Sequence, residues 1–231
     1  MAATKRQATR VDYAQLDNFS SVVLYDNSAP RKKKGKTYEV ERIIGRKKNT
    51  ISTYNLACYY SYLIKWAGWP LDACTWEPSA HLPESLLRSY DRPPKPSSSR
   101  LESTARAFAC GILHLLKSKA MGSGYIDLEL DCWRYITQGK GTPSEHRGHV
   151  LYNKSDFSRL PMLPPDWWYY FNQHGEGKKV DFPMKIKPII GWSSKKYVFD
   201  GKKIVPGKRF PIEKISVSFA RVPCNEKNYC I

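Results

Sequence analysis

The chain has 231 residues, 41% of them hydrophobic, which suffices for one large domain or two small ones. Its formal net charge of +17 calls for an anionic partner, nucleic acid or chromatin, rather than a basic or neutral one. It holds no run of about 18 apolar residues, so no membrane span is expected, and Lys5, Arg6, Arg10 and Asp12 interrupt any secretory apolar core after Met1.

The charge is uneven along the chain. Residues 1–36 carry eight Lys/Arg against three acids, and residues 93–231 carry twenty-three against twelve. Residues 37–92 between them are nearly neutral, with seven against six. The six cysteines, Cys58, Cys74, Cys110, Cys132, Cys224 and Cys230, form no C-x-x-C pair, and His146 and His149 have no cysteine at zinc-site spacing. Reduced structural thiols are therefore expected, with no disulfide framework, no metal and no cofactor.

Residues 1–36 read as a basic, disordered arm. It ends in five cations among six residues, Arg31, Lys32, Lys33, Lys34 and Lys36. That run is a nuclear-import or phosphate-contact candidate, or else a solvated linker. From Tyr38 the pattern changes. "YEVERIIGRKK" predicts a strand, with a shift in alternation at Ile43 and Ile44. "YYSYLIKW" predicts a second strand and "CTWEP" a short third one, ended by Pro78. "PESLLRSY" opens with Pro83 at a first helical position, and Leu86, Leu87 and Tyr90 line one side of the helix.

A Pro/Ser linker, residues 93–100, separates this segment from the remainder. Beyond it, Leu101, Ala105, Phe108, Ala109, Ile112, Leu115 and Leu116 recur at helical spacing, with Ser99 and Glu102 as a capping box. "YIDLELDCW" alternates as a strand would, placing Asp127, Glu129 and Asp131 on one face. That face either binds a metal or, as expected here, stays solvated or pairs with a basic strand carrying Lys185 and Lys187. "DWWYYF" from Asp166 is either a short buried helix or a stacking surface for bases; core is the expectation. "YVFDGKKIV" predicts a hairpin turning at Asp200-Gly201, and "ISVSFARV" a further strand. The pairs Lys178/Lys179, Lys195/Lys196 and Lys202/Lys203 are either phosphate contacts or loop charges.

Three tryptophans, Trp66, Trp69 and Trp76, fall within eleven residues. One small core does not need all three. Burying Trp76 under the helix leaves Trp66 and Trp69 around the Gly68 turn as two walls of a pocket, with Tyr38 as a third. Such a pocket suits a methylated ammonium, which keeps its charge but is poorly hydrated. The alternative is that all three rings fill a core.

The succession Tyr38 to Ile44, "YLIKWAGWP", "TWEP" and "HLPESLLRSY" resembles a chromodomain, over about Tyr38 to Asp91. The Trp-Ala-Gly-Trp-Pro stretch is similar to Polycomb chromodomains, and "TWEPSAHLPESLL" to those of retroelement integrases. The resemblance implies an α+β module, a three-stranded antiparallel sheet with a C-terminal helix; the helical and strand patterns beyond the linker read on their own as a second α+β region. It implies that Tyr38, Trp66 and Trp69 are cage walls. It also implies that Glu77, Ala80, His81 and Leu82 on one side, and the segment before Tyr38 on the other, border a peptide groove in which a histone tail adds as a strand, and that Val40 supports it from the core. The first loop is about seven residues longer than in compact chromodomains, at little entropic cost. Ala73 stands where heterochromatin-type members place an acid, with Asp72 beside it, and His81 replaces an amide.

The organisation expected is thus 1–36 basic arm, 37–92 chromodomain, 93–100 linker and 101–231 an unassigned α+β domain. The expected function is a nuclear, non-enzymatic reader of a methylated histone tail, with non-specific DNA or RNA contacts. The alternative is a nucleic-acid-binding, retroelement-derived protein that uses the chromodomain for targeting. An enzymatic second half is a third and weaker reading, since no nucleophile–base or metal-ligand spacing supports it.

Overall fold

A computed structural model describes residues 38–49, 60–119, 122–160, 162–199 and 201–225. The arm with Arg31 to Lys36, and most of the long first loop, lie outside the described residues. The chain is α+β and divides into two compact units, Met1–Arg88 and Ser89–Ile231.

In the first unit, β1 (Val40–Lys48), β2 (Tyr60–Trp66) and β3 (Thr75–Pro78) form an antiparallel sheet in chain order, and α1 (Glu84–Asp91) follows. The shift in alternation at Ile43 and Ile44 is a register irregularity between Ile43 and Gly45, which lets adjacent isoleucines both be buried. Tyr62, Leu63, Ile64, Trp66 and Leu82 complete this core. Two expectations need correction. Val40 is only half-buried. Trp76 is half-buried as well, because β3 is an edge strand, and the Lys47 ammonium lies 4.3 Å from its ring centroid. Trp66, 8% exposed, is the indole in the core.

The second unit opens with α2 (Ser98–Lys117), whose apolar stripe is buried as its spacing predicts. The capping box is corrected: Ser97 precedes the first turn, and Ser99 and Glu102 lie inside the helix. β4 (Ser123–Asp127) follows, then α3 (Leu130–Thr137), β5 (Thr142–Pro143), β6 (Val150–Tyr152) and β7 (Tyr169–Phe171). A long ribbon of β8 (Glu176–Trp192) and β11 (Pro211–Asn225) dominates the unit, and a hairpin of β9 (Tyr197–Phe199) and β10 (Ile204–Pro206) connects its two strands. The six-stranded sheet runs β4-β11-β8-β6-β5, with β7 also paired to β8.

α2 packs closely on β4, and glycines permit it. A β-carbon at Gly111 would lie 2.6 Å from Ile126 side-chain atoms, and one at Gly124 would lie 2.5 Å from Leu115. Phe108, Trp133, Phe157 and Trp167 form the aromatic centre, with Phe108 4.9 Å from Phe157 and 5.3 Å from Trp167. "DWWYYF" is therefore core at Trp167, but it is a turn running into β7 and not a helix. The alternating stretch "YIDLELDCW" is strand only to Asp127; Leu130 begins α3, so Glu129 and Asp131 share no strand face with Asp127.

Candidate functional site

The end of β2 and the start of β1 bring three aromatic rings together. Trp66 pairs with Val40 across the ladder, and the Ala67 amide donates to the Glu39 carbonyl at 2.9 Å. Those contacts hold the chain just before β1 against the end of β2, which places Tyr38 beside Trp66. Gly68 then turns the chain at φ +72°, a conformation that suits glycine. The Trp69 amide closes the turn onto the Trp66 carbonyl at 3.2 Å. Tyr38 meets Trp66 at 6.3 Å and 65°, and Trp69 at 5.9 Å and 77°, between ring centroids and planes. Both contacts are edge-to-face, the favoured aromatic geometry.

A polar chain fixes the buried wall. Trp66 Nε1 donates to Thr75 Oγ1 at 3.1 Å, and Thr75 Oγ1 in turn bonds Glu77 Oε1. The other Glu77 oxygen stands 3.8 Å from His81 Nδ1. Sequence reasoning missed Thr75, although it stands in the quoted "TWEP" stretch. Lys65 adds a second brace: its ammonium is 2.6 Å from Glu41 Oε2 and 3.0 Å from the Trp66 carbonyl. Thus Glu77 is linked to Trp66 through Thr75 and also stands beside His81.

The other groove candidates are placed as follows. Ser79–His81 is a 3-10 turn in which Ala80 is exposed and His81 half-buried. Leu82 is 7% exposed, so its side chain belongs to the core. The groove edge preceding Tyr38 lies outside the described residues. Asp72 and Ala73 belong to a 3-10 turn, Leu71–Ala73, and not to a regular strand. Among the described residues, Asp72 Oδ1 is buried with no hydrogen-bond partner.

In the second unit, Glu129, Asp131 and Cys132 have ligand atoms within 4.8 Å of one another. The guanidinium of Arg100 occupies that cluster. It lies 2.7 Å from Glu129 and 2.8 and 2.9 Å from the two Asp131 oxygens. Burial disfavours the Arg100 charge most strongly of any single influence, but the hydrogen bonds to Asp131 and Glu129 and the neighbouring negative charges together outweigh it and raise its pKa. Burial, reinforced by the Asp131 charge, pushes the Cys132 thiol up to about 12, and a metal would need the thiolate. The acids thus pair with Arg100 of α2 and not with Lys185 or Lys187, and the cluster is a structural tie between α2 and α3. The four described cysteines, Cys74, Cys110, Cys132 and Cys224, are free thiols. Lys178 and Lys179 lie at the start of β8; Lys195, Lys196, Lys202 and Lys203 are exposed around the β9–β10 hairpin.

The segment that carries the three-stranded sheet and the ring triad matches a known family. Residues 38–92 match the Chromo (CHRromatin Organisation MOdifier) domain. The match spans the chromodomain sheet and α1 and ends where the linker begins. No curated protein and no solved structure matches the chain. A chromodomain points to chromatin or methyl-lysine binding in general, and chromodomain proteins are typically nuclear. Among the described residues no helix is long and apolar enough to cross a membrane.

Proposed function

We propose that the chromodomain reads a methylated lysine on a histone tail, with Tyr38, Trp66 and Trp69 as the walls around the methylammonium. The observation that carries this reading is the convergence of the three rings around the Gly68 turn. Indole and phenol faces attract a cation through their quadrupoles, by about 0.5–2 kcal/mol each. Methylation favours the complex because a methylated ammonium is easier to strip of water than a bare one. Glu77, Ala80, His81 and the Leu82 backbone border the tail, which adds as an extended strand.

In this reading the protein is a nuclear, non-catalytic adaptor. Its chromodomain is nearly neutral, and the basic flanks hold it near nucleic acid through non-specific phosphate contacts that weaken with salt. The test is titration of the full chain with unmodified and trimethyl-lysine histone peptides. Trp69→Ala removes a half-exposed wall without opening the core, and about 1–2 kcal/mol of lost cation–π attraction weakens trimethyl-peptide binding roughly tenfold. Equal affinity of the wild-type chain for unmodified and methylated peptides would sink the proposal.

A further inference from the structure

The six-stranded sheet of the second unit buries one face against α2 and presents the other outward. Ile215, Val217 and Phe219 of β11, with Met184 and Ile186 of β8, lie in the core. Side chains alternate along a strand, so Lys214, Ser216 and Ser218, and Lys185 and Lys187, take the opposite face. The register sets these residues in rows. Tyr125, Ser216 and Lys187 lie opposite one another across β4, β11 and β8. Ser123, Ser218, Lys185 and Leu151 form the next row, and Asp127, Lys214 and Ile189 the row on the other side.

Tyr125 is 64% exposed on this face, far more than a tyrosine needs for packing. The Lys214 ammonium stands over the ring, 4.3 Å from its centroid, so a cation is held against one face of a ring that is otherwise largely open. Lys185 Nζ lies 3.3 Å from His146 Nδ1, and the Lys187 stem passes Gly148, so the loop bearing His146 and Arg147 continues the basic edge. Asp127 is the one carboxylate in the three rows.

We propose that this face binds a single strand of nucleic acid, with a base stacked on Tyr125 and the flanking phosphates on Lys185, Lys187 and Lys214. Charge selects the anion: three lysines against one acid in the three rows, and twenty-three Lys/Arg against twelve acids over residues 93–231. The exposed ring selects the strand, because a base offers its flat face to a side chain only when it is unpaired. Stacking of this kind is tolerant of sequence, so no base preference is assigned. The site does not depend on the chromodomain cage, and either can fail alone.

The experiment is fluorescence anisotropy of the full chain with a labelled oligo(U) RNA, an oligo(dT) of equal length and a duplex carrying the same number of phosphates, across a salt series. Both single strands are expected to bind at least about tenfold tighter than the duplex, since the stacking contribution adds to charge neutralisation. Tyr125→Ala is expected to weaken single-strand binding about tenfold without changing the salt slope, and Tyr125→Phe to restore it. The double variant Lys185→Ala/Lys187→Ala is expected to lower the slope by about 1.4, two phosphate contacts at about 0.7 each. Tyr125 is outside the core, and an unchanged thermal transition of the second unit in each variant shows that this unit is folded. Duplex binding equal to single-strand binding, or single-strand affinity indifferent to Tyr125→Ala, overturns the proposal. Loss of peptide recognition with intact strand binding counts against the cage alone.

Discussion

Trp66 serves two ends at once, and that limits which substitutions report on binding. Its indole is 8% exposed and hydrogen-bonded through Nε1 to Thr75, yet its edge contact with Tyr38 makes it part of the ring triad. Truncating a fully packed Trp costs about 3–5 kcal/mol. A domain of this size has only about 3–8 kcal/mol in total, at 0.05–0.15 kcal/mol per residue. Trp66→Ala is therefore expected to leave the chromodomain near or below its stability threshold. Trp76 is the milder case. It is half-buried on the edge strand, with the Lys47 stem over one face, so Trp76→Ala is expected to cost about half as much, roughly 2 kcal/mol. Urea unfolding of both variants checks the order; a Trp76→Ala midpoint below that of Trp66→Ala contradicts it. The three indoles so divide into one core wall, one open wall at Trp69 and one stacking partner for lysine. Spacing alone does not reveal that division, because alternation says which side a ring takes but not how far an edge strand leaves it uncovered.

Among the elements, α2 is tied at both ends by arginines, one of its own and one from β11. At its start Arg100 grips Glu129 and Asp131 before and within α3. At its end Arg221 of β11 donates through Nη1 to the carbonyls of Leu115, Leu116 and Ser118, the last at 2.6 Å. A cation there satisfies the open carbonyls and opposes the negative end of the helix dipole. Arg221→Ala is expected to destabilise the second unit by about 1–2 kcal/mol, allowing for partial solvent replacement of the lost bonds. Thermal unfolding of the full chain measures it, and an unchanged second-unit transition would mean that water caps the helix equally well. α3 itself shows why part of this fold escapes a sequence reading. Ile126, Leu128, Leu130 and Cys132 are all buried, as the alternation says, but the strand ends at Asp127. Alternation and helix agree on those positions; only Leu130, Trp133 and Ile136, three apart, separate them. The Glu213 carboxylate then accepts the Leu130 amide at 2.8 Å, a cap from a strand eighty-three residues away that no local pattern announces. By contrast α2 and the chromodomain strands are legible, because each carries its own periodicity; β9 and β10 pair as the sequence suggests, although Asp200 of the expected turn lies outside the described residues. The ring triad was legible only through the ordered motifs around it.

At the scale of the whole molecule, two units with separate cores share one chain. Ile43, Ile44, Leu63 and Ile64 belong to one, and Phe108, Trp133, Met184 and Val217 to the other. A ligand that binds only the folded form of one unit stabilises that unit, by about 2.7 kcal/mol at a free concentration one hundred times its Kd. Trimethyl-lysine peptide at that excess is expected to raise the unfolding midpoint of the chromodomain and leave the other transition where it was. For a domain of about 60–100 residues, each kcal/mol corresponds to about 4–8 °C, so a shift of roughly 10–20 °C is expected. Single-stranded oligonucleotide should do the reverse, moving the transition of the second unit alone. Calorimetry of the full chain with each ligand resolves the two. A single transition that moves as a whole with either ligand would mean that the units fold as one cooperative body, and that reading a methyl-lysine and holding a nucleic acid strand are energetically coupled. Two independent shifts, each abolished by its own variant, Trp69→Ala or Tyr125→Ala, would mean that the chain tethers two recognition sites whose joint affinity is set by the linker between them.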